Sequence, residues 1–180
     1  MNILKPQNLH FQKLENKCLI DLDEDEKINY CNFENEEYNN INLYDIEFEH
    51  CKFTNICMQK SKLEKLTFKD VSFEQCNFSN TEFVETNASY INFSMASIEN
   101  ILFKDTALKN SYFQETKIKN MYFNNVDLTQ SKFFKTSLKG IDLSSSKIEG
   151  IAISIEDIKG AIIDQFQAID LLYLIGVKLK

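Results

Sequence analysis

Two histidines, His10 and His50, five cysteines and four glycines give this 180-residue chain little from which to build a His/Cys metal cluster, a histidine-activated nucleophile or a phosphate loop. His50 adjoins Cys51 rather than standing at a ligand spacing from it, so a shared metal ion has little to hold it. A Ser-His-Asp arrangement has equally little to build from. Gly140, Gly150, Gly160 and Gly176 form no phosphate loop. All 20 basic residues are lysine, which removes the side chain best suited to bidentate phosphate contacts, and they form no basic stripe. No catalysis, cofactor, metal or direct nucleic-acid binding is expected. Carboxylates are plentiful, and what they can do depends on the elements that carry them.

Those elements follow from one period. Every fifth residue from Phe33 to Ile153 is apolar, without a slip of register. A second apolar or small residue often stands two places earlier, as at Cys31, Ile41, Cys51, Leu66, Cys76, Ile101 and Ile141. Helices repeat at 3.6 residues and strands at 2, so a period of five is an internal repeat of neither. It suits a coil with short straight sides. Cys31, Cys51 and Cys76 then read as small inward fillers, free thiols rather than a disulfide framework.

The local pattern Asn/Asp-Leu/Phe behind a small or aliphatic residue recurs at Cys31-Asn32-Phe33, Ile41-Asn42-Leu43, Cys76-Asn77-Phe78, Ile91-Asn92-Phe93, Val126-Asp127-Leu128 and Ile141-Asp142-Leu143. In this the chain resembles the pentapeptide-repeat proteins. The resemblance implies an all-β fold, a right-handed quadrilateral β-helix with one pentapeptide per side and four pentapeptides per coil. About six coils would make a rod of roughly 30 Å. Residues one coil apart then stack, and Phe33, Phe53, Phe73, Phe93, Phe113 and Phe133 become one core ladder. Leu43, Leu63, Phe83, Phe103, Phe123 and Leu143 become a second. Bulky Ile and Leu in the column before the centre predict wider or less regular coils. Carboxylates on such flat outer sides have no pocket to shift their pKa values.

Open coil ends need covers. Asp164 with Gln167 resembles a capping box, and an apolar helix over 166–175 would run to a stop at Gly176. Its apolar arc is too wide for one surface, so one side covers the last coil and the other meets a second copy in a homodimer. The expected organisation is an N-terminal cap over 1–30, with an irregular first coil (Leu9, Leu14, Leu19) and an acidic loop at 21–26; the β-helix over 31–155; and the C-terminal capping and dimerisation helix and tail over 156–180.

The segment Gly160-x-x-Ile163-Asp164-x-Phe166-Gln167-Ala168, with Leu171-Leu172 and Ile175-Gly176-Val177, closely resembles the tail of Qnr-type pentapeptide-repeat proteins. Those proteins protect DNA gyrase and topoisomerase IV from fluoroquinolones, dimerise through this helix, and have relatives that imitate duplex DNA. By resemblance, Phe166, Ile169, Leu171, Leu172, Leu174 and Ile175 would form the dimer contact. The candidate partner-binding side is acidic, with Asp45, Glu64, Glu82, Glu85, Asp105 and Asp142 interspersed with Lys62, Lys65 and Lys104. Leu102 and Tyr122 would stack on it as a small apolar patch. Full imitation of DNA is another matter. Residues 31–150 carry 17 acidic and 13 basic side chains, whereas roughly 30 Å of duplex carries about 18 negative charges. Unlike some active Qnr-type proteins, the repeats here run from 33 to 153 without an inserted loop. The functional expectation is a Qnr-like protein that binds gyrase or topoisomerase IV and modulates quinolone susceptibility. The alternative is a dimeric β-helical scaffold with another protein partner. With no long apolar run and no signal peptide, a cytoplasmic location away from membranes is expected.

Overall fold

The computed structural model describes residues 19–177, so the first coil expected from Leu9 and Leu14 lies outside the described residues. From Lys27 onward the chain is a four-sided parallel β-solenoid. Three-residue strands such as Lys27–Asn29, Asn32–Glu34, Glu37–Asn39 and Asn42–Tyr44 form successive sides. Each pairs in parallel with the segment one coil on, as in Ile28↔Phe48, Phe33↔Phe53, Tyr38↔Met58 and Leu43↔Leu63. Pairing thus begins at Lys27, ahead of the expected boundary at 31, and a last bridge joins Asp142 to Ile162.

A side of five residues must turn a corner every fifth residue. From Asp25 to Lys135 every fifth residue has a positive φ, between 47° and 65°, and Gly140, Gly150 and Gly160 continue the series. Asn and Asp tolerate this left-handed conformation better than other non-glycine residues, which accounts for their frequency at 35, 40, 45, 55, 70, 80, 100, 105, 110, 120 and 125. The corner amides also bond along the rod: Asn55 Nδ2 donates to Asn35 Oδ1 (2.9 Å), Asn100 to Asn80 (3.2 Å) and Asn120 to Asn100 (2.8 Å).

The centre of each side points inward. In the phenylalanine ladder, ring centroids are 4.7, 4.4, 5.7, 5.3 and 4.8 Å apart from Phe33 up to Phe133, all stacked. Rings on neighbouring sides meet edge to face, as Phe48 does with Phe53 (5.5 Å) and Phe83 with Phe93 (6.0 Å), so both favoured aromatic geometries fill the core. The column two places earlier is more than filler. There Thr81, Thr86, Thr106, Ser111 and Thr116 are buried, and each hydroxyl donates to the carbonyl 23 residues before it, at 2.9–3.3 Å. Cys51 and Cys76 use their thiols in the same way on the Ile28 and Phe53 carbonyls, both at 3.3 Å. Cys31, Cys51, Cys57 and Cys76 are free thiols. Where Ile41, Ile46, Ile56 and Leu66 occupy this column, the coils keep their hydrogen bonds and their five-residue step. Bulky residues there do not by themselves loosen the coil.

At the C-terminal end the single helix expected over 166–175 is instead two short pieces. Gln167–Asp170 is α-helical and Leu172–Ile175 is a 3-10 turn, with left-handed Gly176 at the stop. A further α-helical turn spans Ile155–Ile158, capped by Ser154, whose Oγ accepts from the Asp157 N–H.

Candidate functional site

The capping box forms as its sequence implies. Asp164 Oδ1 accepts from the backbone N–H of Phe166 and Gln167, and Gln167 Oε1 accepts from the Asp164 N–H at 2.9 Å. Gln167 goes further. Its buried Nε2 donates to the carbonyls of Leu143 (2.7 Å) and Ser146 (2.6 Å), satisfying acceptors that a further coil would otherwise have taken. Tyr173 donates its hydroxyl to the Ile151 carbonyl and pins the 3-10 turn to the rod.

The broken helix divides the six candidate dimer residues. Phe166 (71% exposed), Ile169 (53%) and Ile175 (66%) face outward beside Tyr173 and Val177. Leu171 and Leu174 pack against the core, and Leu172 is half-buried. Two of the six, Leu171 and Leu174, therefore serve the rod's own packing.

The six candidate carboxylates do lie along one side. Its strands, Asn42–Tyr44, Lys62–Glu64, Glu82–Val84, Ser97–Lys104 and Lys117–Asn124, are joined in register. Asp45, Glu85 and Asp105 stand at its left-handed corners. Asp45, Glu82, Glu85, Asp105 and Asp142 are exposed, while Glu64 is half-buried and ion-paired with Lys62 at 2.6 Å. That bond to Glu64 raises the Lys62 pKa, with the fields of Glu82 and Glu85 adding to it. Lys65 donates to the Tyr44 hydroxyl at 2.6 Å and lies 4.8 Å over the ring, and its pKa is raised by that bond. Asn125 Nδ2 donates to Asp105 Oδ1 at 2.8 Å. Glu82 and Glu85, with Asp105 on the next coil, form the acidic cluster of this side, Glu82 and Glu85 standing in the field of Lys62 and Glu85 also in that of Lys65. Leu102 pairs with Tyr122, a residue 56% exposed, so the expected apolar patch adjoins those carboxylates.

Missing from the sequence reading were the Lys62–Glu64 pair, two apart on one strand, and the contacts of Tyr44 and Asn125 across coils. Opposite charges at alternate positions of a strand, and polar partners about one coil apart, were the signals that could have indicated them. Among the described residues no group of His, Cys, Asp and Glu could hold a metal ion, and no helix is long and apolar enough to cross a membrane.

Residues 58–133 match a family model described as the pentapeptide repeat region. No curated protein matches the chain. Among solved structures the fold is similar to that of QnrB1, described as a plasmid-mediated fluoroquinolone resistance protein. One trypsin-treated, singly substituted form of it is 14% identical, with a TM-score of 0.57 over 86% of this chain and 99% of that one. A second such form, with a different substitution, is 13% identical, with a TM-score of 0.52 over 83% and 99%.

Proposed function

We propose, for a chain whose repeat region is that of the pentapeptide-repeat proteins, that it is a non-catalytic homodimeric rod that binds DNA gyrase or topoisomerase IV and alters their susceptibility to fluoroquinolones. The observation that carries this reading is the rank of exposed carboxylates at Glu82, Glu85 and Asp105 beside the Leu102–Tyr122 patch on one flat side. A rigid acidic surface with an apolar foothold suits a protein that itself binds the DNA polyanion. The fold shared with QnrB1 supports the same direction. The outward set Phe166, Ile169, Tyr173 and Ile175 supports a two-fold partner at the C-terminal end. The test is DNA supercoiling by gyrase with and without ciprofloxacin. The protein is expected to restore supercoiling in the presence of drug, and the combined substitutions Glu82→Lys, Glu85→Lys and Asp105→Lys to abolish the effect. Absence of any effect from the intact dimer overturns the proposal.

A second reading, a scaffold for a different protein, is favoured by the charge compensation at Lys62–Glu64, Lys119–Glu99 and Lys135–Glu115. It predicts no effect on either topoisomerase and a co-purifying partner lost when one side of the rod is altered.

A further inference from the structure

Coil is joined to coil by backbone bonds that recur at the same place on every turn of the solenoid. At one corner the N–H of Asn40 donates to the Gln59 carbonyl (3.0 Å), Lys60 to Ser79 (2.9 Å) and Asn80 to Glu99 (2.9 Å). At the next corner Asp45 donates to Glu64, Lys65 to Val84, Glu85 to Lys104 and Asp105 to Asn124, at 2.9–3.1 Å. In the return direction Lys62 donates to Ile41, Glu82 to Ser61 and Leu102 to Thr81, and, on the neighbouring side, Asn77 to Ile56, Ser97 to Cys76 and Lys117 to Ala96.

Beyond the pairing of Ser97–Lys104 with Lys117–Asn124, all four series stop together. Among the described residues no backbone bond joins Asn120 to Lys139, Asn125 to Ser144, Asp142 to Met121 or Ser137 to Thr116. The coils part around the Asn120 and Gly140 corners and leave a cleft of about 540 Å³, lined by Ile118, Met121, Phe123 and Ile141 among others. Nothing would lie within 4 Å of a Cβ at Gly140. The opening is local. On the opposite sides Phe113 still donates to Lys132 and Leu128 to Lys147, both at 2.8 Å, while Ser145 Oγ donates to the Phe123 carbonyl (3.1 Å) at one end of the gap.

We infer that this cleft is a strand-insertion site that takes an extended segment of a partner polypeptide. Apart from the Phe123 carbonyl, each wall presents unpaired N–H and C=O groups along a β-edge, and a peptide backbone supplies the matching donors and acceptors at the same spacing. Recognition by an added strand draws affinity from such main-chain bonds and specificity from alternate side chains. The flanking coils define those side chains. Ile98, Ile101 and Phe103 are followed by Ile118, Met121 and Phe123, then by Leu138, Ile141 and Leu143. The guest should carry the same apolar-x-x-apolar-x-apolar pattern. Lys139 and Asp142, of opposite sign, both line the cleft, which suits a segment of little net charge.

The probe is the acetylated octapeptide Ser-Ile-Glu-Asn-Ile-Leu-Phe-Lys, the sequence of the strand that already pairs with Lys117–Asn124. Residue-resolved amide exchange of the full chain reads the outcome. The amides of Asn120, Asn125, Ser137 and Asp142 should exchange rapidly in the free protein and slow by about 100-fold with saturating peptide. The same peptide N-methylated at alternate residues should give no protection. Slow exchange of these amides in the free protein overturns the inference, because the coils are then closed in solution. So does unchanged exchange at about 1 mM peptide, the range of the weakest useful affinities. Protection that rises with protein concentration alone overturns the partner assignment in favour of a second copy of this chain.

Discussion

At the residue scale, the inward column shows how one position can be filled by chemically different side chains. Thr, Ser and Cys each place a donor against the carbonyl 23 residues back, so the cysteines serve as thiol versions of threonine. Burial pushes the Cys51 and Cys76 thiols up to about 11 from an ordinary 9.0. An acid whose folded pKa is raised binds its proton more tightly in the native state. Its contribution to stability is complete below pH 9 and is lost as the pH rises through 11. Urea unfolding should therefore show stability falling between pH 9 and 11, and the fall should be smaller in the Cys51→Ala, Cys76→Ala double variant. Phe93 gives a second measure. It is fully buried between Phe73 and Phe113. Phe93→Ala should cost about 3–5 kcal/mol, and Phe93→Asp should unfold the rod by burying an unpaired charge. Circular dichroism of a fully folded Phe93→Asp protein would contradict the stacked core.

At the scale of elements, a side of the rod is too short to be stable alone, so its ends matter more than its propensities. Gln167 is the clearest case, since one side chain closes the capping box and satisfies two carbonyls of the last turn. Gln167→Ala leaves the Ser146 carbonyl without its donor and the Leu143 carbonyl with only the Ser146 N–H, and should destabilise by about 2 kcal/mol, whereas the exposed neighbour change Gln165→Ala should stay within about 0.5 kcal/mol. Denaturant titration of the two variants separates the cap from general helix effects. The five-residue step made this architecture legible, because core position, corner position and stacking partner are all fixed once the register is known. Residues such as Asp164, Gln167 and Gly176 were readable because capping chemistry is local. The splitting of the helix at Leu171 was not, since it depends on how Leu171 and Leu174 meet the last coil. Nor was the parting of the coils at Asn120 and Gly140, where the sequence period continues unchanged while the hydrogen bonds stop. The acidic side was legible as a set of positions, but its net field depended on side-chain pairs such as Lys62 with Glu64.

For the whole molecule, the proposed dimer makes the strongest demand on surface chemistry. Phe166, Ile169 and Ile175 are large apolar side chains that the rod itself leaves mostly uncovered, and Tyr173 and Val177 extend the patch. Such a patch at one end is accommodated by a self-complementary contact, which would set two rods end to end and double the length of acidic surface available to a large partner. Because Phe166 and Ile169 contribute little to the interior, Phe166→Asp with Ile169→Asp should leave the circular dichroism spectrum unchanged while shifting the sedimenting species from dimer to monomer. Leu171→Asp and Leu174→Asp should behave differently, destabilising the cap itself because those side chains pack on the core. If the outward pair and the inward pair had the same effect on folding, the division of the C-terminal segment into a cap and an interface would be wrong. If the doubly substituted protein stayed dimeric, the two-fold contact would have to lie elsewhere on the rod. A folded monomer that also lost its effect on gyrase would tie the function to the paired rods and not to a single acidic side.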